Sequence, residues 1–208
     1  TSRVVLHLSG EHVYPVQPLD EDAATALFIE RARDASPHFA PTEADGEAIH
    51  RICARVDGLP LAIELAASRI RALTPSELLA RLDPRLPLLT GGPRDLPVRQ
   101  QTLRATLDWT VDLLDEDDLH HLLHLAVFSG GCTLDAVEEV GGTTVDCLAS
   151  LLDHSLLQQT ATTTGSRYSM LETIREYALE RLESLGAGEA ARRAHADYYV
   201  GLAEQLEP

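Results

Sequence analysis

Between residues 20 and 82 the apolar positions recur every three to four residues, a period that places them on one face of successive helices. Asp20 can cap a first helix running to about residue 34, on which Ala23, Ala24, Leu27, Phe28 and Ala32 form a single stripe. A second begins near Thr42 and carries Ile49, Ile52, Cys53 and Val56 towards Gly58, a residue suited to the left-handed backbone of a helix end. Pro60 fits the first turn of a third, where its missing N–H would have no partner, and Leu61, Glu64, Leu65, Ser68 and Arg69 continue it to about Leu73. Thr74-Pro75-Ser76-Glu77 is a capping box with proline at the first helical position, opening a fourth. Four short helices with tight connections predict a small bundle over residues 18–83.

The period is lost over 84–97, where Pro84, Pro87, Pro93, Pro97, Gly91 and Gly92 predict a linker or an ordered loop. Helical spacing returns over 98–113, 115–128, 134–140 and 144–154. It then switches to two: Leu156 to Ala161 and Arg167 to Leu171 read as strands joined by a turn around Gly165. Helices closed by a hairpin and a further helix, Ile174 to Leu185, predict a winged-helix domain over 98–183. Residues 184–208 add the start of a helical region of the tetratricopeptide kind. The expected fold is mainly α: a four-helix domain, then a winged-helix domain with one β-hairpin. Val4, Val5, Leu6 and Leu8 predict an extended stretch over residues 1–17 whose sheet neighbours lie elsewhere.

A chain of 208 residues with 44% hydrophobic content can bury one or two cores. All 17 basic residues are arginine. A phosphate-cradling G-x-x-x-x-G-K-[ST] loop needs its lysine, so this chain cannot hold one and is not expected to be catalytic alone. The net charge of −16 opposes a sequence-independent grip on a phosphate backbone. Cys53, Cys132 and Cys147 are odd in number, widely spaced and set among apolar residues, which predicts reduced core thiols and a cytoplasmic compartment. No apolar run approaches the roughly 18 residues that would span a bilayer.

Four segments in order carry a resemblance. Thr1-Ser2-Arg3, Gly58-Leu59-Pro60-Leu61-Ala62, Arg99 to Trp109, and Met170 to Ala178 resemble the sensor strand end, the GLPL element and two later stretches of the NB-ARC or STAND nucleotide-switch ATPases, in particular the large LuxR-type and related actinobacterial regulators. The resemblance implies that residues 1–17 end a nucleotide-binding α/β core lying upstream in a longer polypeptide. The helical and winged-helix domains would close over ADP or ATP held, with Mg²⁺, in that core, with none bound by this chain alone. It also implies self-association in the ATP state, an inducer, and an attached effector acting in transcription.

The resemblance assigns nucleotide contacts to Arg3 (γ-phosphate), to Leu59 and Pro60 (base or ribose), and to Leu171. The last stands where eukaryotic members carry a phosphate-binding histidine, and leucine has no hydrogen bond to offer. The residues themselves leave a strand-end arginine and a helix-start proline. Two other readings stand beside the nucleotide-switch arm. One is a helical interaction scaffold without nucleotide sensing. The other is direct DNA recognition by the winged helix, which is disfavoured because the helix over 144–154 has no arginine and carries Asp146 and Asp153. His120, His121 and His124 invite a metal, but a solvated polar face suits them better. Arg94, Arg99 and Arg104 form a basic cluster that could meet an acidic partner.

Overall fold

A computed structural model describes residues 5, 8–93, 95–163 and 165–206. The chain divides into two compact units, residues 14–109 and residues from 110 onward, with the described residues before Tyr14 grouped with the latter.

In the first unit α1 (Glu21–Ala35) starts at Asp20, whose carboxylate accepts from the Ala23 N–H at 2.8 Å, and buries Ala24, Phe28 and Ala32. Helix α2 (Glu43–Arg55) opens with the Thr42 N–H donating to Asp45 at 2.9 Å. Helix α3 (Pro60–Ala67) tightens into a 3₁₀ turn over Ser68–Arg71, earlier than the periodicity suggests. Helix α4 (Pro75–Arg81) carries the expected capping box: Thr74 N–H donates to Glu77 at 2.9 Å, and Glu77 N–H to the Thr74 hydroxyl at 3.3 Å. Helix α1 packs on α2 and α3, and α2 on α4. Between them Phe28, Ile49, Ile52, Ile63, Leu65 and Leu78 are fully buried.

Helix α2 ends at Arg55 rather than at Gly58, and two successive left-handed residues, Asp57 (φ 56°) and Gly58 (φ 63°), make the corner to α3. Segment 84–97 is anchored. Leu86 and Leu89 are buried, and Arg69 donates from Nε to the Leu88 carbonyl and from Nη2 to the Thr90 carbonyl, each at 2.9 Å. The Gly92 N–H reaches the Gln101 carbonyl at 2.9 Å, and the Leu103 N–H that of Leu89 at 3.0 Å. No strand occurs among the described residues before Asp20. Ser9–Gly10 form a turn, while Val13, Tyr14 and Val16 are exposed, and Pro15 and Pro18 have no N–H to give a ladder.

Helix α5 (Leu103–Val111) crosses the division. The second unit then runs α6 (Glu116–Leu125), β1 (Cys132–Thr133), α7 (Leu134–Gly141), α8 (Val145–Asp153), β2 (Gln158–Thr162), β3 (Gly165–Ser169), α9 (Glu172–Ser184) and α10 (Gly188–Leu206). The sheet is antiparallel in the order β1-β3-β2, with Gln159 opposite Tyr168 and Tyr168 opposite Cys132. Strand β1 was not expected, because two residues are too few to show a period. Leu123, Ala126, Ala178, Leu182 and Ala191 join α6, α9 and α10 in one core. The expected fold class holds: a mainly helical chain with a winged helix and its small sheet. No helix among the described residues is long and apolar enough to cross a membrane.

Candidate functional site: the helix-turn-helix and the elbow

Helices α7 and α8 are joined by a three-residue turn. Gly142, left-handed at φ 60°, ends α7, and the Thr144 hydroxyl accepts from the Cys147 N–H at 3.3 Å to start α8. Two polar ties hold this pair on α6. His121 Nδ1 lies 3.2 Å from both the Gly141 carbonyl and the hydroxyl of buried Thr143. Asp118, 7% exposed, accepts from the Ser150 hydroxyl on α8. The outer face of α8 is therefore fixed in direction. It exposes Val145, Asp146 and Ala149, with Leu152 and Asp153 half-buried.

The wing is β2, β3 and their turn, where the Thr162 hydroxyl donates to the Gly165 carbonyl at 2.7 Å. Its arginine is exposed but tied to the main chain: Arg167 Nη2 donates to the Gly130 and Gly131 carbonyls at 3.1 and 3.0 Å. Gly131 must be glycine here, since a Cβ would stand 2.5 Å from the Tyr168 carbonyl at φ 90°. Arg175 is held by Glu172 at 2.9 Å, and Arg181 lies over the Tyr177 ring at 5.9 Å. Residues 114–183 contain thirteen Asp and Glu against these three arginines, all of them engaged within the fold.

The elbow lies in the first unit. Leu59 is half-buried at the N-cap of α3 and Pro60 is exposed at its first turn. Gly58 is pinned by its carbonyl, which accepts from the Leu19 N–H at 3.0 Å. A cavity of about 400 Å³ beside it is lined by Gly58, Cys53, His50 and Glu21, with His50 Nδ1 3.0 Å from the Glu21 carboxylate. Burial pushes the Cys53 thiol up to about 11, so it is inert as a nucleophile at neutral pH. Arg3 lies outside the described residues. Leu171 belongs to the second unit, half-buried at the N-cap of α9, where its carbonyl accepts from the Arg175 N–H at 2.9 Å. Leu59 and Pro60 are thus neighbours on one corner, and Leu171 stands in a different unit.

His120 and His124 stack one turn apart with ring centroids 4.1 Å apart; burial first, then the charges of His124 and His121, hold His120 below its ordinary value. Of the basic cluster, Arg94 lies outside the described residues and Arg99 covers the Trp109 ring at 4.8 Å. Cys132 is buried, whereas Cys147 is only half-buried on α8 and so is not the core thiol expected. Sequence reasoning missed the Asp118–Ser150 tie, since an acidic residue in a first helical turn reads as a dipole charge. The serine one turn before the end of α8 was its only signal.

Residues 114–183 match the winged helix-turn-helix domain, the stretch from the start of α6 to the end of α9. Over 99% of its length the chain is 40% identical to "Putative HTH-type transcriptional regulator Rv0890c" of Mycobacterium tuberculosis H37Rv, and equally to its counterpart Mb0914c of Mycobacterium bovis. Over 91% it is 36% identical to the uncharacterized protein Rv0894 of M. tuberculosis H37Rv. The chain spans 24% of the length of the two regulators and 51% of Rv0894.

Proposed function

We propose that this chain is a segment of a bacterial transcriptional regulator, and that its winged helix is the module through which regulation runs. The observation that carries this is the winged helix-turn-helix match over 114–183, joined to 40% identity with proteins named as HTH-type transcriptional regulators. Engagement of DNA is the mode that the match and those names support, ahead of the nucleotide-switch arm. The surface of the module sets the strength of such engagement. Helix α8 offers no arginine and the three arginines of residues 114–183 serve the fold, so few phosphates would be neutralised and the dependence on salt would be shallow. The exposed hydroxyl of Thr160 on the wing is a group that can donate to phosphate oxygens.

The test is fluorescence anisotropy of a labelled duplex of about 30 base pairs with the whole chain, read from ~25 to ~200 mM salt. Weak binding whose logarithm falls with a slope shallower than about −3 is expected. Absence of binding at the lowest salt would reject DNA engagement by this segment and leave its winged helix as a protein-docking module.

A second reading is the arm of a nucleotide-switch ATPase, with ADP or ATP and Mg²⁺ held by a core elsewhere in the polypeptide. The elbow favours it: Pro60 is exposed on a corner whose geometry is fixed by Gly58, so a rigid apolar ring is presented outward. In the full-length protein, Pro60→Ala should weaken ADP binding; identical affinity in variant and parent would remove this reading.

A further inference from the structure

Helix α6 carries His120, His121 and His124, and the fold uses them differently. His121 is spent on the turn between α7 and α8, where Gly141 and Thr143 engage its Nδ1. His120 and His124 stand one helical turn apart and share a face, with ring centroids 4.1 Å apart.

The protonation pattern of this pair follows from its hydrogen bonds. His124 Nδ1 lies 2.9 Å from the His120 carbonyl oxygen. A carbonyl oxygen can only accept, so Nδ1 carries the proton and donates, which leaves the lone pair on Nε2 of the neutral ring. Anchoring one imidazole nitrogen on a backbone carbonyl is how proteins fix the tautomer of a metal-ligating histidine. The His120 ring is exposed and makes no hydrogen bond among the described residues, so a lone pair of its neutral form is open to solvent. The charges acting on that ring are those of His124, His121 and Asp117, and Asp117, one turn earlier, is a carboxylate that favours a cation beside it. No group of three His, Cys, Asp or Glu side chains is placed to hold a metal among the described residues. The protein's share of a site here is therefore two imidazoles, and water completes the shell. Imidazole nitrogen selects Zn²⁺, Ni²⁺ and Cu²⁺, whereas Mg²⁺ and Ca²⁺ prefer oxygen.

We propose that His120 and His124 form a surface site for one divalent transition ion of the Zn²⁺, Ni²⁺ or Cu²⁺ class, bound through one nitrogen of each ring. The site is independent of what the winged helix engages. Zn²⁺ is titrated by calorimetry into the whole chain, free of any affinity tag, at about pH 7.5, where an ordinary imidazole is neutral. Saturation at one ion per chain below ~1 mM Zn²⁺ is expected. His120→Gln and His124→Gln should each weaken binding at least about tenfold, and the double variant should lose no more than either single one, because a lone imidazole does not chelate. Circular dichroism of each variant should match the parent. A background of ~5 mM Mg²⁺ should leave the Zn²⁺ affinity within about twofold. The proposal is overturned by the absence of saturable heat up to ~1 mM Zn²⁺, or by a folded His120→Gln variant that binds Zn²⁺ as the parent does. Displacement by Mg²⁺ would overturn it equally, since the ion would then belong to the Glu116 and Asp117 carboxylates.

Discussion

Gly58→Ala is a single methyl group whose cost can be worked from the structure. At φ 63° an L-residue forfeits about 1–2 kcal/mol for the left-handed backbone. The added Cβ would stand 2.6 Å from the Leu19 carbonyl oxygen, a backbone atom that cannot swing aside as a side chain would. Relief requires Pro18–Leu19 to shift, which loosens the 3.0 Å bond from the Leu19 N–H to the Gly58 carbonyl, worth about 1 kcal/mol. The sum is about 2–3 kcal/mol, or some 8–20 °C in the midpoint of a unit of this size. Trp109, the only tryptophan, is the last residue of the first unit, and its fluorescence together with far-UV circular dichroism follows urea unfolding. Gly46→Ala supplies the control, since Gly46 is helical and its Cβ would meet nothing within 4 Å. That change should stabilise by about 0.5–1 kcal/mol. The same chemical change is thus expected to act with opposite sign at two glycines twelve positions apart in sequence. Should Gly58→Ala unfold within about 0.5 kcal/mol of the parent, or should both variants move together, the account of the elbow is wrong.

Removing buried Asp118 leaves the half-buried Ser150 hydroxyl without its acceptor, so Asp118→Ala should cost about 1–3 kcal/mol. In a double-mutant cycle with Ser150→Ala the two should couple by at least about 1 kcal/mol, and additive losses would deny the tie between α6 and α8. His120 takes up its proton at lower pH folded than unfolded, so its contribution to stability is complete above about pH 6.5 and is lost as pH falls through the folded value. His120→Gln should flatten the slope of stability between about pH 7.5 and 5, and an unchanged slope would assign it to other groups. Arg69→Lys keeps the charge but cannot reach the Leu88 and Thr90 carbonyls together; a loss of about 1–2 kcal/mol in chemical denaturation is expected, and parity with the parent would show that the loop stands without the fork.

The helices and the hairpin were legible because each rests on local rules. Asp20, Thr42, Thr74, Thr133 and Thr144 mark helix starts by their own side-chain chemistry, and the change from a period near 3.6 to one of two separates α8 from β2. Three features were not legible, each because its cause lies far along the chain. The corner at Asp57 and Gly58 is shaped by Leu19, nearly forty residues upstream. Segment 84–97 has no period, yet Leu86 and Leu89 are core residues held by Arg69. Strand β1 is too short to announce itself and exists because β3 offers an edge. Of the site, the outward face of α8 and its lack of basic residues could be read directly. The tie of exposed Arg167 to the Gly130 and Gly131 carbonyls could not, because its acceptors lie some 36 residues upstream and are main-chain atoms.

Arg69, Arg85, Arg167 and Arg175 share one habit: each grasps main-chain carbonyls of a distant segment, at Leu88 and Thr90, Arg55, Gly130 and Gly131, and Ala126. Every residue type supplies a carbonyl oxygen, so the clasped loops are free to change their side chains over evolutionary time while the clasp persists. Divergence should therefore gather in the loops and spare the four guanidinium positions, where even lysine would be a poor replacement.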